Sequence, residues 1–308
     1  MEFLKHLPET LSAVPPSTYC QTFFLLATTV VLSLHILPNE ARNTLTRYGA
    51  RRSDTAPPQS NTLSLLRKVT SIGQVPHSFF WHFYLLSTCL SAVWAWQYLA
   101  QGAGMGFIAE KQVLFKEPSV ELGRVFLAWM MMALQGGRRL YECFWVVKPG
   151  RTPMWVVHWA LGLSFYAIMS VSVWVEGSGA ILESWETPKA AVLLSSRVPS
   201  TLAVFFAAWI KQNECHRHLA SLKKYTLPSE GMFKYIVCPH YTCECAIYLA
   251  ISYMAAPPGK AFNMSVLCGL AFVVANLGST AYGTKQWYAD KFGADKVAKK
   301  WSMIPGIF

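Results

Sequence analysis

The chain is a succession of apolar stretches of membrane-crossing length, and that leaves it few ways to fold. They fall at about 19–37, 79–100, 122–147, 154–175, 190–210, 235–256 and 261–282, each near the roughly 20 residues a helix needs to cross a bilayer. Within lipid every backbone N–H and C=O must find a partner in its own segment, so such stretches become helices. Composition agrees: 53% of the residues are apolar and 14% charged, too little charge to cover a water-facing surface. The expected fold is an all-α integral membrane protein, a bundle of about seven transmembrane helices forming one domain over 1–308. The third and fifth stretches are the weakest, since they carry Arg138-Arg139 and Ser195-Ser196-Arg197. Trp81, Trp155 and Tyr282 near the ends of stretches suit an interfacial aromatic belt.

The net charge of +11 is unevenly placed, and its placement carries the information. Arg42, Arg47, Arg51, Arg52, Arg67 and Lys68 lie between stretches one and two. Lys148 and Arg151 lie between three and four, Lys211, Arg217, Lys223 and Lys224 between five and six, and Lys285, Lys291, Lys296, Lys299 and Lys300 after the seventh. The alternate connections are acidic or nearly neutral, with Glu176, Glu183 and Glu186 in one and Lys260 in another. Basic connections stay in the cytosol, so the N-terminus is expected on the lumenal side and the C-terminus in the cytosol. An odd number of crossings agrees with that. A soluble basic face with reading aromatics is missing from the pattern, which argues against nucleic-acid binding. The 8 Cys form no disulfide framework and are read as reduced. Asn263-Met264-Ser265 is a glycosylation sequon, but it abuts an apolar stretch and is expected to be unused.

Residues 38–76 form the least membrane-like segment and read as a polar cytosolic loop. Gly102-Ala-Gly-Met-Gly106 resembles a fragment of a dinucleotide fingerprint, lacks the flanking strand, and is read as a loop. With no soluble catalytic domain left over, any chemistry must be done by the helical bundle itself.

The feature that points most directly to chemistry is Gly231-Met-Phe-Lys-Tyr-Ile-Val-Cys-Pro-His-Tyr-Thr-Cys-Glu244. Pro239 suits the first turn of a helix, which then carries His240, Glu244 and Tyr248 on one face at i, i+4 and i+8. A carboxylate inside a membrane helix is expensive unless paired, so Glu244 is a candidate functional residue. In the third stretch, Gly136-Gly-Arg-Arg-Leu-Tyr-Glu142 places Arg138 and Glu142 four apart. They form either a self-neutralised structural pair or, with Arg139, a grip for phosphate. The second stretch opens with His82-Phe-Tyr84, two side chains able to donate a proton or a hydrogen bond to a lipid-borne substrate. Gln212-Asn-Glu-Cys-His216-Arg-His218, continuing to Lys223, reads as a basic cytosolic loop leading into the Pro239 helix, where an anion could bridge the two. Cys238, His240, Cys243 and Cys245 lack the spacing of a zinc site, so no metal is expected. A hydrolase reading finds no nucleophile elbow.

Several of these residues recur together in a known pattern. Leu227-Pro-x-x-Gly231-x-Phe233-x-Tyr235-x-x-x-Pro239-His240-Tyr241-x-x-Glu244, followed by Trp287-Tyr288-x-x-Lys291-Phe292 and a terminal Ile304-Pro-x-x-Phe308, resembles the steroid 5α-reductase family. Arg138-Arg-Leu-Tyr-Glu-Cys143, Gln212-x-x-x-His216-x-x-Leu-Ala-Ser-Leu222 and His82-Phe-Tyr84 are similar to its polyprenol reductase branch. The resemblance implies a seven-span bundle in the endoplasmic reticulum that takes NADPH from the cytosol, with 211–308 as the cofactor-binding region. By position, Glu244 would hold the nicotinamide carboxamide, while Tyr225, His240 and Tyr288 would line the cofactor. Arg139, Arg151, His216 and Lys223 would approach its phosphates or adenosine. Where the family often has His before the Trp-Tyr pair, this chain has Lys285. The Glu–Tyr pair that steroid reducers use on the substrate carbonyl falls, by rough alignment, on Gln74 and Gly136. The carbonyl donor must come from elsewhere, and His82, Tyr84 and Glu142 are the candidates.

The expected activity is reduction of the α-isoprene double bond of a polyprenyl lipid on the route to dolichol, supporting protein N-glycosylation. An allylic alcohol is a poor hydride acceptor, whereas an unsaturated aldehyde has a carbonyl that takes the developing charge, so the aldehyde is favoured. Two other readings stand beside this one. One is a reductase of steroid or other enone lipids; the other is a seven-span receptor or transporter in which the buried charges serve a ligand or ion path.

Overall fold

The computed structural model describes residues 14–46, 61–148, 153–187, 196–223 and 225–308. Eleven α-helices occur among them: α1 Pro16–Ser33, α2 Asn39–Thr46, α3 Asn61–Ser71, α4 Phe80–Leu99, α5 Ala103–Val113, α6 Leu122–Trp145, α7 Val156–Val175, α8 Ser178–Glu186, α9 Arg197–Ser221, α10 Pro239–Met254 and α11 Met264–Phe292. The only paired strands among the described residues, β1 Gln74–Val75 and β2 Met154–Trp155, run antiparallel with Gln74 opposite Trp155 and Val75 opposite Met154.

Among the described residues, three helices are long and apolar enough to cross a membrane: α1 with the 3₁₀ turn after it (Pro16–Ile36), α7 (Val156–Val175) and α11 (Met264–Phe292). The other long helices carry polar cargo. α6 holds Arg124, Arg138, Arg139 and Glu142, and α9 holds Arg197, Lys211, Glu214, His216, Arg217 and His218. α9 packs along α10, α11 along α1, and α4 along α6 and α7. The main apolar core lies where these helices meet, around Phe24, Met131, Phe165, Met169, Phe205, Ile247, Tyr248, Ile251 and Phe272. A second core, around Met105, Val120, Val125, Trp174 and Ile181, joins α5 and α8 to α6 and α7.

Several local expectations are corrected. Gly102-Ala-Gly-Met-Gly106 is not a loop: Gly102 caps α5, and the Gln97 side-chain carbonyl accepts from the free N–H groups of Gly104 (3.1 Å) and Met105 (3.2 Å). A donor-satisfying side chain from the preceding helix supplies what the glycine run lacks in propensity. Residues 212–221, expected in a loop, are the last turns of α9. Their Gln, Glu, Cys and Leu continue the helix because their polar face meets other buried polar groups and not lipid. The last helix runs through Phe292, not 282, and ends at Gly293, whose φ of +104° suits a residue without Cβ. Within 38–76, helices α2 and α3 occupy Asn39–Thr46 and Asn61–Ser71, while the Arg51–Ser60 centre of that expected loop lies outside the described residues.

The chain end folds back onto the segment that leads into α10. Val237 N–H donates to Trp301 C=O (2.8 Å), Cys238 N–H to Ser302 C=O (3.1 Å) and Trp301 N–H to Tyr235 C=O (2.9 Å). Val237, Cys238, Ala281 and Met303 form a small core beneath it. Lys285, which stands where the family often has His, donates to the Lys300 carbonyl at 2.5 Å and so ties α11 to this tail.

Candidate active site

Pro239 starts α10 as the sequence requires, so His240 and Glu244 stand one above the other. Opposite them, α6 presents Gln135, Arg138, Arg139 and Glu142, and α9 presents Gln212, Asn213 and His216. These side chains form one polar cluster inside an otherwise apolar bundle.

At its centre is Glu142, fully buried. Its Oε1 accepts from Arg138 Nη1 (2.7 Å) and Asn213 Nδ2 (2.6 Å), and its Oε2 pairs with Arg139 Nη1 and with His216 Nδ1 (2.7 Å). Both oxygens are therefore filled. A carboxylate saturated with donors, two of them guanidinium groups, is an anchor for two arginines and has nothing left to donate. Arg138 continues to Gln135 Oε1 (2.7 Å) and Gln212 Oε1, and its guanidinium lies 4.9 Å over the Trp209 ring. Arg139 reaches the Tyr84 hydroxyl with Nη2 (2.9 Å) and lies 4.7 Å over the same ring.

Glu244 is held differently. Its Oε2 accepts from Gln135 Nε2 (3.0 Å) and Gln212 Nε2, and its Oε1 has no hydrogen-bond partner among the described residues. Beside it, His240 Nδ1 is buried and also lacks a partner. The His240 ring lies 5.5 Å from that of His216 and 4.2 Å from that of Tyr241. One open acceptor and one open ring nitrogen on the same helix face match the N–H₂ and C=O of a carboxamide. The residues present therefore fit a nicotinamide.

The cluster thus brings together Tyr84, Arg139, Glu142, His216, His240 and Glu244. His82 is not among its members. Two residues from Tyr84 on α4, it points elsewhere; its Nδ1 accepts from Trp159 Nε1 (3.2 Å), and its ring packs on Phe79 (4.4 Å) and Trp81 (4.1 Å). Tyr225 and Tyr288 belong to a second group nearer the tail. Tyr225 has φ of +66° and is half exposed, with the Lys291 ammonium 3.5 Å over its ring and Trp287 6.3 Å away. Tyr288 packs on Trp287 (5.4 Å) and Phe292 (5.8 Å). Lys223 is exposed just before Tyr225, and Arg151 lies outside the described residues.

Sequence reasoning missed Gln135 and Gln212 as cluster members, although Gln135 sits three residues before Arg138 and Gln212 four before His216, a spacing that puts each pair on one face. Gly136 is a point of close helix approach. A Cβ there would sit 2.8 Å from Ser87 Oγ of α4.

The family model described as 3-oxo-5-alpha-steroid 4-dehydrogenase matches residues 152–308. Polyprenal reductase 1 of Arabidopsis thaliana is 25% identical over 76% of this chain and 82% of its own length. Polyprenal reductase of Saccharomyces cerevisiae is 27% identical over 80% of this chain and 79% of its own. That of Caenorhabditis elegans is 25% identical over 92% and 95%.

Proposed function

The chain belongs to the 3-oxo-5-alpha-steroid 4-dehydrogenase family, and from that premise we propose that it is an NADPH-dependent reductase of the α-isoprene double bond of a polyprenal, on the route to dolichol. The observation that carries this reading is the unequal filling of the two carboxylates of the cluster, buried Glu142 and partly exposed Glu244. Glu142 is saturated by its own chain, while Glu244 keeps Oε1 open beside the unpartnered His240 Nδ1. Glu244 and His240, the latter as its Nδ1–H tautomer, would hold the carboxamide of a nicotinamide, one as acceptor and the other as donor. That group would supply hydride when bound.

Tyr84 is assigned the substrate oxygen. Its hydroxyl accepts from Arg139 and so keeps its own O–H free to donate. An arginine behind a phenol strengthens it as a donor, and one such donor aimed at a developing oxyanion is worth roughly 3 kcal/mol. Glu142 and His216 hold Arg139 in place for this task. An aldehyde oxygen provides the charge-bearing atom these donors need. The polyisoprenoid tail lies between helices open to the bilayer. In this reading the bundle has about seven crossings in the endoplasmic reticulum membrane, with the cluster toward the cytosolic face, where NADPH enters without crossing lipid.

The test is purified protein in detergent with NADPH and either polyprenal or a steroid enone. Polyprenal-dependent loss of NADPH with formation of the saturated aldehyde is expected; turnover with the enone alone overturns the substrate, and turnover with neither overturns the reading. Glu244→Gln should weaken NADPH binding about tenfold, the order of one charge-assisted hydrogen bond. Unchanged binding would remove Glu244 from the cofactor site.

A further inference from the structure

Tyr248 has no task in the mechanism so far. Its side chain is 0% exposed and lies in the main apolar core, against Phe165 at 5.8 Å between ring centroids. Yet it carries a hydroxyl that makes no hydrogen bond of good geometry. Leaving a hydroxyl unpaired in an apolar core is costly, and a phenylalanine of the same shape would avoid that cost. Its polar neighbour is the Tyr166 side chain of α7, and Tyr166 in turn meets Tyr84 of α4 edge-to-face at 5.6 Å. Phenols from three helices therefore converge on one place, with Glu244 and Arg139 as their charged neighbours. Along α10, Tyr248 stands four residues beyond Glu244 on the His240–Glu244 face, about 6 Å deeper into the bundle. It is the next polar group after the proposed carboxamide reader.

We infer that Tyr248 is a further catalytic residue: its phenol gives the α-carbon of the substrate its proton, with the Tyr166 hydroxyl beside it as hydrogen-bond partner. The inference rests on the function proposed above. When hydride adds to the β-carbon, the double-bond electron pair moves toward the carbonyl and leaves an enolate. The Tyr248 O–H bond breaks, the proton forms the new α-carbon C–H bond, and the carbonyl double bond returns. The phenolate regains a proton from water. A phenol, with an ordinary pKa of about 10, is far more acidic than the C–H bond it makes, so the transfer runs downhill. The two tyrosines then divide the work. Tyr84, already bonded to Arg139, holds oxygen; Tyr248, with no hydrogen bond to a charged group, releases its proton to carbon.

The test compares wild type with Tyr248→Phe, which removes one oxygen atom and keeps the packing. The expected kcat falls about 100-fold, the usual contribution of a positioned general acid, with the Kd for NADPH within about twofold of wild type. A second variant with 3-fluorotyrosine at 248 should move the alkaline limb of kcat to lower pH, because fluorine acidifies the phenol. Its ¹⁹F resonance should also shift when the saturated aldehyde is added without cofactor. A kcat within about twofold of wild type in Tyr248→Phe, or an unmoved limb with an unmoved resonance, overturns the assignment. If wild type itself binds NADPH but leaves polyprenal unreduced, the failure belongs to the proposed function and takes this inference with it.

Discussion

The two ends of α10 handle buried charge in opposite ways. At its C-terminal end, Arg124 donates to the carbonyls of Met254 (2.9 Å) and Ala256, capping the helix. Across the turn, Glu176 accepts from Ser265 N–H and Oγ, both at 2.7 Å, at the start of α11. Asn263 bonds Val266 N–H (2.9 Å) and Ala255 C=O (3.2 Å). Cation at a helix C-terminus and anion at an N-terminus complement both helix dipoles, and each group is matched to backbone. Burial still pushes the Glu176 carboxyl above its usual range, against the pull of the Ser265 and Met264 donors. At the N-terminal end, charges are matched to other side chains, and the matching stops short at Glu244 Oε1, His240 Nδ1 and Arg138 Nε. Buried polar groups in folded proteins are nearly always satisfied. Among the described residues His240 Nδ1 and Arg138 Nε stay open at the N-terminal end, while Arg124, Glu176 and Asn263 are bonded at the C-terminal end, which is why we propose the former as the binding end and the latter as a structural one.

This contrast can be broken by substitution. The largest effect is expected from Glu142→Gln. Removing the charge leaves Arg138 and Arg139 buried side by side, and loss of one partner from a buried ion cluster costs about 3 kcal/mol or more. A large fall in the unfolding midpoint in detergent, with NADPH binding lost, is the expected result; an unchanged midpoint would mean that solvent reaches the cluster. Arg124→Met should also destabilise, by about 2 kcal/mol for two lost carbonyl partners, while kcat/KM of the folded fraction stays near wild type. A catalytic loss that outruns the stability loss would tie the capped end to function and dissolve the contrast. Asn263→Gln should lower stability least, by about 1 kcal/mol for a lost helix cap. Glycosidase treatment should leave the electrophoretic mobility of wild type unchanged, because the Asn263 side chain is 0% exposed and both its ends are bonded; a mobility shift would overturn that placement.

The start of α10 at Pro239 and the stacking of His240, Glu244 and Tyr248 were legible in the sequence, because proline position and four-residue spacing act within a single helix. The same holds for the Arg138–Glu142 pair and for most apolar stretches. Gly102–Gly106 was misread because its helix depends on Gln97, which reaches across from another element. The end of α9 was misread because its polar residues signal a loop until α6 and α10 are seen to receive them.

Hydropathy and local spacing alone determined that the chain is helical, that it carries stretches of bilayer length, and that Glu142 and Glu244 sit among apolar residues. These depend on neighbours a few positions apart. Only the tertiary structure decided that four donors fill Glu142 while Glu244 keeps an oxygen open. It alone placed His82 outside the cluster and brought Tyr84, Tyr166 and Tyr248 together from α4, α7 and α10. Hydrogen-bond saturation is a count of partners from several helices, and such a count exists only once those helices have packed.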